Sequence, residues 1–410
     1  MAKLLPSIKN FKLILNKAQK YLKLAFINVR KLKEKSGMEE ELTKITDYEP
    51  QSKRLCTENI ENDLNDQKLK IRKRNVALLM AYNGSNYHGM QKNLDFKTIE
   101  YELLNALVKA NLIPSEAIDN LPLIHFQRAA RTDKGVSAAK QVVSFKIAEN
   151  FQVEKINMFL PEDIRVFSIK RVTKGFNCKN QCTARTYSYT LPTFALAPEF
   201  HDEYPKNYRI DKLTIQKTNE ILSQYLGTHP FHNFTSKKDG RDPSAKRYIM
   251  SFEAEEPFLE NEEEFITLKV KGQSFMLHQI RKMVGYTIAV MKGFASEAIQ
   301  SKIWTNEKVS LPMAPGLGLV LEDVHYDKYN KKFGSDGMHH PLTWEEVCNE
   351  LKEFRRKKIF SNIISVEMES QQMFNWLQFM PKHKFELTED ELEMNNKKEE
   401  SLDENSAVYS

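Results

Sequence analysis

Cysteine is scarce, and its spacing suits no structural use. The 410 residues hold four, Cys56, Cys178, Cys182 and Cys348, with neither the paired spacing of a disulfide framework nor the C-x2-C pair of a zinc site. A reducing compartment and ordinary buried or half-buried thiols follow. Long apolar runs are missing as well. Charges interrupt every candidate before the roughly 18 to 20 residues that span a bilayer, so a soluble protein is expected, with no membrane partner. There is no P-loop, no dinucleotide fingerprint and no HExxH. "HDE" at 201–203 has the H-x-E of zinc deaminases but lacks the P-C-x-x-C that completes such a site. The chemistry is therefore expected to need no metal and no nucleotide cofactor.

Charge is present, and it is unevenly placed. A net charge of only +6 hides ten Lys/Arg against the single acid Glu34 in Met1 to Gly37, and nine acids against two lysines in Phe385 to Ser410. The middle is mildly basic, which permits an anionic partner without requiring one. The opening segment carries Leu, Ile and Phe at helical intervals and almost no acid, as organelle transit peptides do, although its Arg and Ser are few. It reads equally well as a basic arm that touches RNA or a nuclear import factor, so nucleus and mitochondrion are both expected locations. Residues 38 to 70 read as a linker that cannot bury enough surface to order itself, and so does the acidic tail beyond about 380.

Between these ends, strands and helices alternate irregularly, which favours an α+β fold. "NVALLMAY" (75–82), "QVVSFKI" (141–147), "IRVFSIKRV" (164–172), "RTYSYTL" (185–191), "YIMSFEAEE", "EFITLKVKG" and "GLGLVLEDVHY" (316–326) read as strands. On the fourth of these, alternation puts Arg185, Tyr187, Tyr189 and Leu191 on one face. Ile99, Leu103, Leu107 and Ala110 form a helical stripe with Thr98 as N-cap, and Leu213 to Leu226 form a helix stopped by Gly227. A long helix is expected from Phe275 to Phe294. Thr343 with Glu346 looks like the capping box of a last helix carrying Trp344, Val347, Cys348, Leu351 and Phe354.

Three places could carry chemistry. In "RAARTDKGVSAAKQVVSF" (128–145), Asp133 stands alone among Arg128, Arg131, Lys134 and Lys140. "TDKG" is good turn chemistry in its own right, yet a carboxylate beside cations that could hold phosphate weakens that hold and needs a reason, such as covalent or acid–base work. In "GQSFMLHQIRKMVG" (272–285), helical spacing would bring Phe275, His278 and Arg281 near one face, with Arg281 either snorkelling to solvent or pairing with a carboxylate. The third is Tyr187, which could stack on an unpaired base or simply pack in a core.

Taken together, "RAARTDKGVSA", "CTARTYSYTLP", "GTHPFHNFT", "KGQSFMLHQIRKMVG" and "LPMAPGLGLVLEDVHY" occur in the order seen in the TruA family of tRNA pseudouridine synthases. "LLMAYNGSNYHGMQKN", "FKTIE" and "FGSDG" resemble its eukaryotic branch, and the resemblance covers roughly residues 72 to 345. It implies a pseudouridine synthase fold, in which two α+β subdomains share a continuous mixed sheet with a basic RNA-binding cleft between them. The expected division is a basic arm and linker (1–71), an N-terminal catalytic subdomain with the Asp loop (72–184), a C-terminal catalytic subdomain (185–333), a helical extension (334–380) and an acidic tail (381–410). The resemblance further implies isomerisation of uridine to pseudouridine in tRNA without a cofactor. By motif match Asp133 is the nucleophile, Tyr187 stacks on the target uracil, and Arg281 pairs with Asp133. Arg131, Lys134, Arg185, Phe275, His278 and Gln279 are the expected substrate-binding residues. The anticodon stem-loop region is the expected target, mRNA and small nuclear RNA are further candidate substrates, and the protein is expected as a monomer. A noncatalytic tRNA-binding protein of the same fold is the alternative.

Overall fold

Among the described residues, ten strands hydrogen-bond into a single sheet. A computed structural model describes residues 73–386 apart from Leu94 and Lys237, so the basic arm and linker and most of the acidic tail lie outside the described residues. The strands are β1 (Lys73–Tyr82), β2 (Gln127–Arg128), β3 (Ser137–Ala148), β4 (Ile164–Arg171), β5 (Ala184–Pro192), β6 (Gly227–Pro230), β7 (Lys246–Ala254), β8 (Phe258–Glu260), β9 (Glu263–Gly272) and β10 (Leu319–His325). Their order is β4-β1-β3-β10-β5-β9-β7-β6, with β2 beside β3 and β8 beside β9. Nearly every ladder is antiparallel. The exception is β10 with β3, which run parallel, Val320 opposite Ser137 and Leu321 opposite Ala138. This short ladder joins the β4-β1-β3 side to the β10-β5-β9-β7-β6 side, and the result is a large mixed sheet of α+β type.

The sequence of each strand fits its place. β1 pairs with β3 on one edge and β4 on the other, and its seven residues from Val76 to Tyr82 are all buried, the near-continuous apolar run of a strand covered on both faces. The helices are α1 (Ile99–Lys109), α2 (Val153–Asn157), α3 (Lys212–Ser223), α4 (Gln279–Met291), α5 (Glu297–Lys302), α6 (Asp327–Phe333), α7 (Cys348–Phe354), α8 (Ser361–Ser370) and α9 (Gln372–Leu377). α1 buries Ile99, Leu103 and Leu107. α3 is capped by Asp211, whose side chain accepts a hydrogen bond from the Thr214 N–H at 2.7 Å.

One local expectation holds in position and two fail. Thr98 occupies the N-cap of α1, but its side chain makes no capping hydrogen bond. α4 starts at Gln279, four residues later than its periodicity suggests. His278 takes the left-handed conformation at φ 61°, and the buried Gln279 side chain accepts from the Met276 N–H at 2.8 Å, which holds residues 275–278 in a loop. Phe275, His278 and Arg281 therefore do not share a helix face. The Thr343–Glu346 box does not form either. Trp344 is left-handed and buried, and the Glu346 side chain accepts instead from Ser168 and Lys170 of β4, each at 3.1 Å.

The C-terminal helices lie against the joint of the sheet. After α7 the backbone widens into π turns over Arg355–Phe360. There Ile359, with Ile363 of α8, packs on Ala139 of β3 and Val320 of β10. Arg355 grips Glu322 of β10 through Nε and Nη2 at 2.6 to 3.0 Å, and the same carboxylate accepts from Ser188 of β5 at 2.5 Å.

Candidate active site

Asp133 sits four residues before β3, at the end of that strand which pairs with β10. It opens a tight turn: its carbonyl accepts from the Val136 N–H at 3.1 Å, and Gly135 takes φ 78°, a conformation that favours glycine. The loop of residues 84–90 clasps this turn. The Met90 N–H donates to the Thr132 carbonyl at 3.1 Å and the Gly135 N–H to the Tyr87 carbonyl at 3.1 Å, while the Gly84 N–H donates to Ser137 Oγ at 3.0 Å. Gly89, at φ 92°, packs so closely that a Cβ there would stand 2.6 Å from the Thr132 oxygen. Beneath the turn the Thr132 and Tyr82 hydroxyls are hydrogen-bonded at 2.8 Å. The buried Gln141 amide donates to the Ala130 carbonyl at 2.8 Å and accepts from its N–H at 3.2 Å. The Asp133 side chain is thus carried on a backbone fixed from three directions, 19% exposed.

Arg281 approaches from α4. Its Nη1 lies 3.8 Å from Asp133 Oδ2, and the His278 Nε2 lies 3.8 Å from the same oxygen. Both distances exceed a hydrogen bond, so the two groups bracket one carboxylate oxygen at longer range, the guanidinium as a charge and the imidazole as a charge only when protonated. The guanidinium is anchored on its other side, where Nε donates to the Ala314 carbonyl at 2.8 Å and the Ala314 N–H donates back to the Arg281 carbonyl at 3.1 Å. Residues 312–318 can lie this close because Gly285 of α4 has no side chain: a Cβ there would meet the Pro312 oxygen at 2.2 Å.

Tyr187 comes from β5, which lies next to β10. Its ring meets Phe275 edge-on at 5.2 Å between centroids, and burial pushes its phenol well above the usual tyrosine value. Arg185, two residues earlier on the same face, is committed to backbone. It donates to the carbonyls of Ala129, Gln273 and Lys179 at 2.7 to 3.2 Å, tying the approach to the Asp turn to the end of β9. Gln279 is likewise turned inward, toward the Met276 N–H.

The four cations around Asp133 divide into two kinds. Arg128 forms a 2.7 Å ion pair with the buried Glu100 of α1, and Lys140 forms one at 2.8 Å with Asp323 of β10. They hold the fold together. Arg131 and Lys134 are the exposed pair. The arrangement is an ionisable carboxylate with a guanidinium beside it, an aromatic ring close by, and exposed positive charge on the same turn.

Known proteins resemble this chain over most of its length. A sequence model of a family described as tRNA pseudouridine synthase matches residues 221–327. The mouse "Pseudouridylate synthase 1 homolog" is 51% identical over 320 residues, covering 77% of this chain and 76% of its own. The human protein of the same name is 50% identical, covering 76% and 74%. The "tRNA pseudouridine synthase 1" of Kluyveromyces lactis is 34% identical, covering 75% and 70%. The chain belongs to the TruA family of tRNA pseudouridine synthases.

The segment matched by the tRNA pseudouridine synthase model contains Arg281 and His278 but neither Asp133 nor Tyr187. The structure brings Asp133, His278 and Arg281 together, and Tyr187 with Phe275. Sequence reasoning missed the residues that brace the Asp133 turn and Arg281, which are Gly89, Thr132, Gln141 and Ala314, and the Glu100 that pairs with Arg128. A polar Gln141 inside an otherwise apolar strand was the one visible signal among them.

Proposed function

We propose that this protein isomerises uridine to pseudouridine in tRNA, with Asp133 as the nucleophile. The observation that carries the reading is the 3.8 Å approach of Arg281 to Asp133 in a chain half identical to two pseudouridylate synthase homologs. A carboxylate must be ionised to attack, and the guanidinium stands as an opposite charge 3.8 Å from it. Asp133 attacks either C1′ of the ribose or C6 of the uracil, and the N1–C1′ bond breaks. The detached uracil turns, C5 bonds to C1′, the carboxylate is released, and C5 gives up its proton while N1 takes one up, so that no atom is gained or lost and no cofactor is required.

The target base must leave its stack, at a cost of a few kcal/mol. Tyr187 offers a stacking partner that recovers part of it. Since burial favours its neutral phenol, the ring is the part that acts in the resting enzyme. Arg131 and Lys134 would hold the phosphates beside the flipped nucleotide. Residues 72–184 and 185–333 are the two subdomains in this reading, supported by their meeting at the parallel β3–β10 ladder, with the RNA cleft between them. The anticodon stem-loop region of tRNA is the proposed target, and mRNA and small nuclear RNA are further substrates to test. Nucleus and mitochondrion are the proposed locations, to be separated by removing residues 1–37.

The test uses unmodified tRNA carrying tritium at uracil C5, with tritium release followed over time and pseudouridine mapped afterwards. Release by wild type and none by Asp133→Ala is the expected result. Full activity in Asp133→Ala overturns the assignment of the nucleophile, and tRNA binding by wild type without release favours the noncatalytic alternative.

A further inference from the structure

Phe96 is 46% exposed, and its ring is already stacked on His88, with centroids 4.4 Å apart and planes 26° from parallel. Scattered exposed apolar side chains need no explanation, but two features set this stacked pair in a functional light. The first is rigidity. The His88 N–H donates to the Lys97 carbonyl at 2.9 Å, the Ile99 N–H to the Gly89 carbonyl at 3.2 Å and the Glu100 N–H to the Met90 carbonyl at 3.0 Å, while Asn93 and Phe96 form a β-bridge. The second is position. His88 immediately precedes Gly89, whose backbone lies against Thr132 and Asp133. Lys97 beside the pair is exposed as well and holds its ammonium 4.6 Å from the Tyr87 ring centre.

A half-exposed aromatic surface held by backbone hydrogen bonds, next to a cation and on the residue before the glycine that packs on the Asp133 loop, has the makeup of a base-stacking platform. Bases of single-stranded RNA stack on such side chains without regard to sequence, and a preformed platform loses little freedom when a base arrives. We propose that the His88–Phe96 pair is a shelf for one of the two nucleotides that flank the target uridine. The inference rests on the reading of the protein as a tRNA pseudouridine synthase. It adds a contact that holds the RNA open next to the flipped base, at a place outside the Asp133–Tyr187–Arg281 group.

The test measures the binding of unmodified tRNA to wild type, Phe96→Ala, Phe96→Trp and His88→Ala, with pseudouridine mapped in parallel to fix the target position. Phe96→Ala is expected to weaken binding roughly 5- to 100-fold, the range for loss of one base–aromatic contact, with Phe96→Trp near wild type. A tRNA with an abasic residue at one flanking nucleotide should bind wild type more weakly by a similar factor and Phe96→Ala no more weakly still. Thermal melting of each variant checks that it folds, and His88→Ala gives a second reading from the other ring. The shelf is overturned if Phe96→Ala binds as tightly as wild type, or if the losses from the variant and from each abasic site multiply. A wild type that releases no tritium would instead overturn the synthase reading.

Discussion

Replacing Gly89 by Ala should disable the site without touching any reacting group. Two separate penalties apply. Gly89 stands at φ 92°, where an L side chain costs about 1 to 2 kcal/mol. A Cβ there would also meet the Thr132 oxygen at 2.6 Å and the Asp133 carbonyl carbon at 3.3 Å, so the Thr132 carbonyl must retreat by roughly half an ångström, with the strain of an overpacked core. That movement pulls on the Met90 N–H to Thr132 bond and on the turn that carries Asp133. Misplacement of this order costs on the order of 10- to 100-fold in rate. Gly293→Ala supplies the control, because Gly293 is also at positive φ, 73°, but its Cβ would meet nothing within 4 Å. Both variants should lose stability, and only Gly89→Ala should lose single-turnover tritium release at saturating enzyme. Equal activity in the two variants would refute the claim that backbone packing on this turn sets the nucleophile.

Arg281→Ala should lower kcat roughly 10²- to 10³-fold, comparable to loss of one preorganised charge-stabilising group. Arg281→Lys should recover only part of it, since one ammonium cannot both reach Asp133 and hold the Ala314 carbonyl; equal rates in the two would remove the bracketing role. Tyr187→Phe should bind tRNA within a few-fold of wild type, whereas Tyr187→Ala should lose roughly 5- to 100-fold, because the proposed stacking uses the ring and not the hydroxyl. Glu367 of α8 is buried, which raises its carboxyl from 4.5 to about 7 although it accepts from the Met373 N–H. The folded state then holds the proton more tightly, so stability falls as pH rises from 4.5 to 7, by up to about 3 kcal/mol. Glu367→Gln keeps an acceptor for Met373 and should melt higher than wild type at pH 8, with the gap closing toward pH 4.5; identical melting at pH 8 would refute this.

The strands were legible because their neighbours are uniform. β1 lies between two strands, and β5, buried along nearly its whole length, alternates Arg185, Tyr187, Tyr189 and Leu191 with hydroxyl side chains, so apolar runs and period-two patterns report them directly. α4 was overextended because Phe275 and Met276 continue its apolar spacing, and nothing in "SFMLHQ" marks His278 as left-handed. The Thr343–Glu346 box was misread for a related reason: Lys170, the stronger partner for Glu346, lies far back in the chain. The same limit governs the site. Asp133 could be singled out by its charge surroundings, but which of the nearby cations are free to meet RNA could not. Arg128 and Lys140 are taken by Glu100 and Asp323, and such pairings are made by the fold, not by spacing.

The 3.8 Å between Asp133 and Arg281 is set by one short stretch of chain. Pro312 lies against Gly285 of α4, Ala314 exchanges hydrogen bonds with Arg281, and the Pro315 carbonyl accepts from the Tyr189 hydroxyl at 2.7 Å. Gly316 then passes 3.4 Å from the Lys134 carbonyl, by the position its Cβ would take, and 3.8 Å from the Arg281 guanidinium carbon. Gly318 accepts from the Thr190 N–H at 3.0 Å, and two residues on, Val320 pairs with Ser137, where the Asp turn enters β3. One segment therefore touches the helix that carries the guanidinium, the strand that carries Tyr187 and the turn that carries the carboxylate. The braced backbone and the Ala314 carbonyl that holds Nε together place the guanidinium beside the Asp133 carboxylate.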